Sequence, residues 1–556
     1  MKHITHEADF CVVGGGLAGL CAAIAAARHG AKTLLMHDRP VLGGNCSSEI
    51  RMWICGAHGK GNKETGLLEE IQLENLARNP TMNYSIWDSV LYEKAMAEPN
   101  LTLLLNCSCC DAEMDGNRIA GVKGWQGTAE TWHTVRAKYF ADCSGDSILA
   151  PLTGAEFRVG REGRAEFGES IAPEQPDSKT MGMSCLMQVR DTGSPQAFTP
   201  PAWAYKYPED TDLPHADHSL FTNFWWIELG GDGDSIHDTE ALRDELLKIA
   251  FGVWDHVKNY GDHGAEDFAL EWLGFLPGKR ESRRFVGDHI MTQHDVEAGG
   301  PFEDIVAYGG WSMDDHFPAG FHYRGGHPTI YHPAPSPYGI PYRCLYSKKI
   351  ENLFFAGRNI SVTHTALSST RVMATCALLG QAVGTAAALA VRDDCSPREV
   401  NISELQRALM ADDCWLPGLR QPVPDFIAGN HVLTNGYDRG DENAWACRAG
   451  DTTEIAFMRP VKLSQIRLVF DSDLNDNKRM PHIWPVDAPR RLPGCLVKSY
   501  TLSGRNNGAW VELAHVEDNH RRLSVHPVDC EADAVRLTVH ASHGAEMFRV
   551  FSLYAE

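Results

Sequence analysis

Short apolar runs and a long alanine-rich stretch alternate along the first forty residues of the chain. Residues 10–13 form an apolar run that is typical of a buried strand, and residues 33–36 form a second one. Between them, residues 17–28 have helical character, and Gly30 follows as a helix-ending residue. The pattern therefore predicts a strand, a helix and a second strand, as at the start of a doubly wound parallel sheet.

Glycines occupy the turn between the first predicted strand and the helix. Gly14, Gly16 and Gly19 have the G-x-G-x-x-G spacing, in the strand-to-helix context that the motif requires. Glycine lets the backbone approach a pyrophosphate closely, and the first helical residues, Leu17 and Ala18, would offer unpaired N–H groups. We therefore predict a dinucleotide-binding site at this turn.

The end of the second predicted strand differs from the usual pattern of such sites. An acidic residue at this position normally holds a ribose hydroxyl. Here the position falls on His37, and Asp38 follows it. Since an imidazole can also bond to a ribose hydroxyl, we predict a ribose contact from His37 or Asp38.

Three further motifs resemble one family of proteins. Residues 39–45 (RPVLGGN), 139–146 (YFADCSGD) and 352–361 (NLFFAGRNIS) follow the order seen in FAD-binding flavoproteins of the glutathione-reductase type. The resemblance is greatest to the fumarate-reductase-like branch, and it covers residues 8–395. It implies that FAD is bound non-covalently. The cofactor contacts that it implies are Arg39, Gly43, Gly44, Asn45, Cys46, Ser47, Asp142, Gly145, Asp146, Gly357, Arg358, Arg371 and Val372.

The chain divides into four predicted segments around this α/β fold. Residues 1–150 and 346–418 would form a Rossmann-like FAD-binding domain that ends in a connector helix. Residues 151–345, which are rich in aromatic side chains, would form an inserted α+β substrate domain. Residues 426–556 contain short apolar runs separated by turn residues, which predict an antiparallel β-sandwich. This last segment resembles galactose-binding-like (discoidin-like) domains, and some of those bind glycans.

The net charge, one long apolar segment and the cysteine content indicate which binding partners and which cellular compartment to expect. The net charge of -22 over 556 residues argues against a nucleic acid or an anionic membrane surface as partner. Residues 372–391 are apolar enough to span a bilayer, but their glycines, threonines and glutamine favour a buried helix. Residues 1–9 have no apolar signal region, so the sixteen cysteines predict a cytoplasmic protein with reduced thiols.

Metal-binding motifs do not stand out in the sequence. There is no H-E-x-x-H motif, and the C-x-x-C at residues 107–110 has no second copy. We interpret these cysteines as thiols at the end of a strand. His215, His218, His327 and His332 are interpreted as loop residues. The sequence therefore predicts no metal site.

Several side chains are candidates for catalysis beside a flavin. We predict that His364 accepts a hydroxyl proton while a hydride leaves the substrate carbon. Arg371 and Arg51 could hold a carboxylate or stabilise an oxyanion. His58 and Tyr323 are further candidates.

These features predict an FAD-dependent oxidoreductase that transfers a hydride between flavin N5 and a small polar substrate. The aromatic insertion and the C-terminal segment suggest that the substrate could derive from a carbohydrate. One alternative is an enoate reductase of the fumarate-reductase kind, with an arginine as proton donor. Another is a glycan-binding protein with a redox-silent flavin domain. The expected partners are a small molecule and a glycan.

Overall fold

The computed structural model describes residues 1–214, 218–481 and 489–556, which form two compact units. The first unit contains Met1–Ala57, Thr81–Ile402 and a short segment that begins at Arg479. The second unit contains His58–Pro80, Ser403–Lys478 and Pro489–Glu556. This division differs from the predicted segments 1–150 and 346–418, because residues 58–80 and 403–418 lie in the second unit. His215 lies outside the described residues.

The first 150 residues fold as the apolar pattern predicts. Their elements are β1 (Lys2–Val13), α1 (Leu17–Arg28), β2 (Thr33–Met36), α2 (Leu67–Arg78), α3 (Tyr84–Met96), β3 (Leu101–Leu104), β4 (Cys107–Asp115), β5 (Arg118–Gln126), β6 (Thr131–Asp142) and α4 (Leu149–Thr153). The last third of β1, from Phe10 to Val13, is almost completely buried, as expected for a central parallel strand.

The main sheet of the first unit has the strand order β3-β2-β1-β6-β5-β4. Strands β3, β2, β1 and β6 are parallel. The sheet continues with β5, which is antiparallel to β6, and with β4, which is antiparallel to β5. A later strand, Leu353–Phe355, pairs in parallel with the carboxyl end of β6. The predicted α/β fold with a Rossmann-like sheet is therefore confirmed.

The register of this sheet brings several loops to one edge. Val13 pairs with Met36 and with Asp142, and Asp142 also pairs with Phe355. These four residues end their strands at the same level. The carboxyl edge of a parallel sheet is where such folds bind ligands, so the loops that follow are candidates for the site.

The inserted region, 151–345, combines short strands and helices. Its elements are β7 (Phe157–Arg158), α5 (Arg164–Phe167), β8 (Met183–Ser184), β9 (Met187–Asp191), β10 (Glu228–Leu229), α6 (Thr239–Asn259), β11 (Phe268–Leu273), β12 (Gly278–Lys279), β13 (Arg284–Phe285), α7 (Gln293–Glu297), β14 (Ile305–Gly309), β15 (Met313–His316), β16 (Thr329–His332) and β17 (Tyr338–Pro341). The strands pair in small antiparallel sheets. Side chains of α6, including Leu246 and Trp254, pack with Met183 and Trp226 in one buried core.

The chain then returns to the main sheet. The elements are β18 (Leu353–Phe355), α8 (His364–Thr370), α9 (Met373–Asp393) and α10 (Ile402–Ala411). Helix α9 is long and apolar enough to cross a membrane, but 94% of its most apolar window is buried in the protein. A Cβ on Gly380 would lie 2.0 Å from the carbonyl oxygen of Ala18, and one on Gly384 would lie 2.1 Å from that of Ala22. These glycines let α9 pack directly against α1, as a core helix does.

The second unit is built around an antiparallel sheet of six strands. They are β19 (Trp445–Cys447), β20 (Thr452–Phe470), β21 (Val497–Asn506), β22 (Ala509–Val516), β23 (Leu523–Ser542) and β24 (Phe548–Ala555), in the order β19-β24-β20-β23-β21-β22. The pairing of β20 with β23 is interrupted between Ala456 and Val461, and a single apolar core lies against both halves. The predicted antiparallel C-terminal fold is confirmed. Leu73 of α2 also belongs to this core.

Candidate active site

A cavity of about 420 Å³ opens at the carboxyl edge of the main sheet. It is lined by the loops that follow β1, β2, β6 and β18 and by residues of the inserted region. The predicted cofactor residues that line it are Gly14, Gly16, Leu17, Ala18, His37, Asp38, Arg39, Gly43, Gly44, Asn45, Gly145, Asp146, Gly357, Arg358, Arg371 and Val372. The predicted cofactor residues that are not among the described lining residues are Gly19, Cys46, Ser47 and Asp142.

The three motif glycines have different roles in the turn. Gly14 has a φ of +104°, and a Cβ there would lie 2.4 Å from the carbonyl carbon of Cys143. A Cβ on Gly19 would lie 1.8 Å from the carbonyl oxygen of Gly14. A Cβ on Gly16, by contrast, would meet only the Cα of Gly44, at 3.9 Å. Gly14 and Gly19 are therefore required by the fold, and Gly16 keeps the cavity open.

The start of α1 fits a pyrophosphate. Gly16 is the N-cap residue, and no side chain of the described residues caps this helix end. The first N–H groups of a helix have no partner within the helix, so they are available to an anion in the cavity. The buried Nε atoms of Arg358 and Arg371, both on cavity-lining residues, also lack a hydrogen-bond partner in the described part of the chain.

The structure separates the roles of His37 and Asp38. Gly15 N–H donates to Nδ1 of His37 over 3.0 Å, and Nε2 of His37 lies 3.1 Å from the carbonyl oxygen of Val41. His37 is buried and holds the glycine turn, so it is a poor candidate for the predicted ribose contact. The side chain of Asp38 is 63% exposed and lines the cavity, which makes it the better candidate.

Asp142 organises the turn after β6. It is fully buried and accepts hydrogen bonds from the N–H groups of Ser144 and Leu149 and from the side chain of Asn359. The carboxylate of Asp142 is therefore used for hydrogen bonds within the protein. Asp142 therefore shapes the site without facing the cavity, which differs from the predicted direct contact.

Asp146 does face the cavity, within a group of cations. Nζ of Lys279 and Nη2 of Arg358 each donate to its carboxylate over 2.7 Å, and the hydroxyl of Ser282 donates over 2.8 Å. Burial acts to raise the pKa of Asp146, but the charges of Arg358 and Lys279 outweigh it and lower the pKa. Two cations share one carboxylate, so this part of the cavity is positively charged.

Cys46 and Ser47 hold the turn that contains Gly43 and Gly44. The thiol of Cys46 donates to the carbonyl oxygen of Gly43 over 3.1 Å, and the hydroxyl of Ser47 donates to that of Gly44 over 2.8 Å. Burial raises the pKa of the Cys46 thiol. Both residues therefore act through the backbone of the loop.

A wall of the cavity comes from residues outside the predicted catalytic and cofactor-binding sets. Its aromatic members are Trp53, Trp225, Trp311 and Tyr331, and its polar members include Ser184, Arg280, Asp314 and His316. Most of them lie in the inserted region and are far apart in sequence. Only the density of aromatic residues between 151 and 345 indicated that this region would contact a substrate.

Charged side chains on this wall form a connected network. Glu228 contacts Nη1 of Arg280 at 3.2 Å and Nδ1 of His316 at 2.7 Å. Nε2 of His316 lies 3.4 Å from the carboxylate of Asp314, which Nη2 of Arg371 contacts at 3.2 Å. Burial acts to raise the pKa of Glu228, but Arg280 and His316 lower it. The network fixes a histidine and two guanidinium groups at the cavity surface.

The structure argues against His364 as a general base. Its Nδ1 lies 2.9 Å from Glu281 and its Nε2 lies 3.1 Å from Asp315, and it is not a described lining residue of the cavity. Burial acts to lower the pKa of His364, but Glu281 and Asp315 raise it to about 10. A histidine that already carries its proton at neutral pH cannot accept another, so the predicted role is not supported.

The other predicted catalytic residues are also outside the described lining, except Arg371. Arg51 donates to Gln188 over 3.0 Å, and its guanidinium lies 4.5 Å from the ring centre of Trp272. Tyr323 stacks on Phe317 with ring centres 3.8 Å apart. His58 is exposed and belongs to the second unit. These positions favour structural roles for Arg51 and Tyr323.

A family model described as FAD dependent oxidoreductase matches residues 9–409. Among solved structures, a geranylgeranyl bacteriochlorophyll reductase-like protein from Thermoplasma acidophilum is 12% identical, with 74% of this chain and 86% of that chain covered and a TM-score of 0.33. An E. coli quinol fumarate reductase FrdA is 14% identical, with 74% of each chain covered and a TM-score of 0.29. A family 32 carbohydrate-binding module from Streptococcus pneumoniae EndoD is 14% identical, with 24% of this chain and 89% of that chain covered and a TM-score of 0.19.

Proposed function

Because the chain belongs to the FAD-dependent oxidoreductase family, with FAD as cofactor, we propose that it transfers a hydride between the flavin and a small polar substrate. The supporting observation is that one cavity contains both the glycine turn and the wall of aromatic and charged residues. Bound FAD supplies the hydride donor or acceptor at its N5 atom. The protein has to hold the substrate carbon nearby and provide a group for the accompanying proton.

The wall suits a carbohydrate-derived substrate. Trp53, Trp225 and Trp311 offer flat apolar faces, on which the apolar face of a sugar ring can pack. Arg280 and Arg371 offer hydrogen-bond donors and positive charge for hydroxyl or carboxylate groups. This combination favours a hydroxylated ring compound or a sugar acid as substrate.

His316 is our candidate for proton transfer. It lines the cavity, and Glu228 fixes its ring through Nδ1. In the oxidation of an alcohol, the carbon loses a hydride to the flavin while the hydroxyl proton passes to the imidazole, which leaves a carbonyl product. Like His364, His316 lies between two carboxylates, but it lines the cavity, and its Nε2 approaches Asp314 only to 3.4 Å. We therefore assign the proton transfer to His316 rather than to His364.

The test is anaerobic stopped-flow reduction of the oxidised, FAD-loaded protein by a panel of aldoses, sugar alcohols and sugar acids. His316→Gln should retain FAD but reduce it more slowly with an active compound, by about 10²- to 10⁴-fold. His322, which is exposed in the same region, offers the matched control His322→Gln. If every compound leaves the flavin oxidised, the proposed dehydrogenase is wrong; equal rates in both variants would instead contradict the role of His316.

Arg371 supports an enoate reductase as a second candidate. It lines the cavity, and its buried Nε has no hydrogen-bond partner among the described residues. An arginine in this position could deliver a proton to an enoate that takes up a hydride. Photoreduced protein that is reoxidised by enoates, with no reduction of the oxidised form by sugars, would favour this candidate over the dehydrogenase.

We also propose a location in the cytoplasm for this protein and glycan binding by its second unit. All sixteen cysteines are free thiols, which supports a reducing compartment such as the cytoplasm. Glycan binding by the second unit rests on the resemblance of its sequence to galactose-binding-like domains. A glycan array probed with the full chain tests it, and the absence of any bound glycan would contradict it.

A further inference from the structure

Four metal-ligating side chains converge in the inserted region. Asp210 lies in a 3₁₀ turn (Asp210–Asp212), His256 lies near the end of α6, and His218 and His263 lie in loops. Each offers one ligand atom, and these four atoms all lie within 4.8 Å of one another. None of the four residues is a described lining residue of the cofactor cavity. The cluster is therefore a separate feature of the first unit.

The histidine rings of this cluster are packed together inside the protein. Their ring centres are 4.8 to 5.0 Å apart in each of the three pairs. His218 and His256 are buried and His263 is mostly buried, whereas the side chain of Asp210 is 67% exposed. Buried polar groups normally have hydrogen-bond partners, so the buried Nε2 atoms of His256 and His263, which have none among the described residues, need an explanation.

The orientation of His256 points to a ligand. Its Nδ1 lies 2.6 Å from the carbonyl oxygen of Tyr207, an arrangement that commonly orients a metal-binding histidine. Its Nε2 then faces the cluster. That atom lies 3.1 Å from Oδ1 of Asp210 without the alignment of a hydrogen bond, and Nε2 of His263 lies 3.6 Å from the same oxygen. Both Nε2 atoms are buried and have no hydrogen-bond partner in the described part of the chain.

We propose that Asp210, His218, His256 and His263 bind a zinc ion. Three imidazole nitrogens and one carboxylate oxygen are a ligand set that Zn²⁺ accepts in tetrahedral geometry. In tetrahedral geometry, zinc–ligand bonds of about 2.0–2.2 Å place the ligand atoms about 3.3–3.6 Å apart. Oδ1 of Asp210 already lies 3.1 Å from Nε2 of His256 and 3.6 Å from Nε2 of His263. Four protein ligands leave no open position, so the ion is structural and joins the turn at Asp210 and the loop residues His218 and His263 to the end of α6.

The first test is metal analysis of the full-length protein with FAD bound. After removal of metal with a chelator and titration with Zn²⁺, the protein should bind one equivalent tightly. X-ray absorption at the zinc edge should show nitrogen and oxygen neighbours at about 2.0–2.2 Å. Sulfur neighbours at about 2.3 Å would place the zinc on cysteines and would overturn the proposal.

Two variants and a control locate the site. Asp210→Asn removes a charged ligand whose side chain is mostly exposed, so folding should be unaffected while zinc affinity falls by about 10-fold or more. His256→Gln should abolish tight binding. His133 is buried beside His6, away from the cluster, so His133→Gln should bind zinc as the unaltered protein does. Unchanged zinc affinity in the well-folded Asp210→Asn and His256→Gln variants would refute the proposed ligands.

Discussion

The ion pairs of His364 make the stability of the first unit depend on pH. Glu281, which has no exposed surface, and Asp315 hold His364 in its protonated form, with a pKa of about 10 in place of the usual 6.5 of a histidine. Below pH 6.5 the histidine is protonated in both the folded and the unfolded chain, and the stabilisation is complete. Above pH 6.5 only the folded chain keeps the proton, so the stabilisation decreases until it is lost near pH 10.

The size of this effect follows from the difference between the two pKa values. A difference of about 3.5 pKa units corresponds to roughly 4 to 5 kcal/mol at low pH. Between pH 7 and pH 9 the free energy of unfolding should fall by about 2 to 3 kcal/mol because of this residue alone. His364→Gln should lack that dependence. The variant should also be less stable by about 3 to 5 kcal/mol at pH 7, because it leaves the buried carboxylate of Glu281 without a main partner.

The assay is urea denaturation of the FAD-loaded protein at pH 7 and pH 9, followed by the fluorescence of released flavin. A chain with two units need not unfold in one step, so the difference between variants is the quantity to compare. His322→Gln, at an exposed position, serves as control and should keep the pH dependence of the unaltered protein. If His364→Gln and the unaltered protein lose equal stability between pH 7 and pH 9, the ion pairs do not hold the proton as we infer.

Three further predictions concern the cofactor turn and the division of the chain. Gly16→Val should fold but lose most of its flavin, because its side chain would enter the cavity. Gly19→Ala should misfold, because its Cβ would lie 1.8 Å from a carbonyl oxygen. The flavin-to-protein ratio and the size-exclusion profile distinguish the two outcomes. Asp38→Ala should weaken FAD binding by about 10-fold in equilibrium titration, as expected for a lost hydrogen bond to a charged group, and unchanged affinity would remove Asp38 from the site. A chain that ends at Gly418 should aggregate, because Leu73 loses the core in which it is buried; a soluble, monomeric product would show that this core is dispensable.

The cofactor end of the site could be predicted because its signals are local in the sequence. The spacing of Gly14, Gly16 and Gly19 reflects a turn within six residues, and the apolar runs on either side determine the strand and the helix. Parallel strands then bring their carboxyl ends together. The motifs around Asp142 and Gly357 follow strands of the same sheet, so their approach to the turn follows from the fold.

The substrate end of the cavity could not be predicted in the same way. Arg280 and His316 lie on different segments and meet only through tertiary packing, whereas Arg371 was predicted from the family motif. No spacing rule connects them. His364 had the expected position in the chain, but its environment is set by Glu281 and Asp315, which are distant in sequence. Burial and charge partners decide the role of a histidine, and a single sequence does not report them.

The histidine cluster was missed for a related reason. Sequence rules for metal sites rely on short, regular spacings such as H-E-x-x-H. Here one histidine lies on a helix, two lie in loops, and the carboxylate comes from a separate turn. His218 was interpreted as a loop residue, and its position in the chain is indeed a loop. The sequence alone does not show that folding brings His218 close to His256.

The early placement of residues 58–80 has a consequence for the synthesis of this protein. These residues leave the ribosome long before Ser403, the next part of the second unit, which follows about 320 residues later. At a translation rate of about 5–20 residues per second, helix α2 waits for roughly 15 to 65 s before its partners exist. Throughout that interval the other residues of the core in which Leu73 is buried have not yet been made. Helix α2 can therefore reach its final packing only after the chain beyond Ser403 has been made.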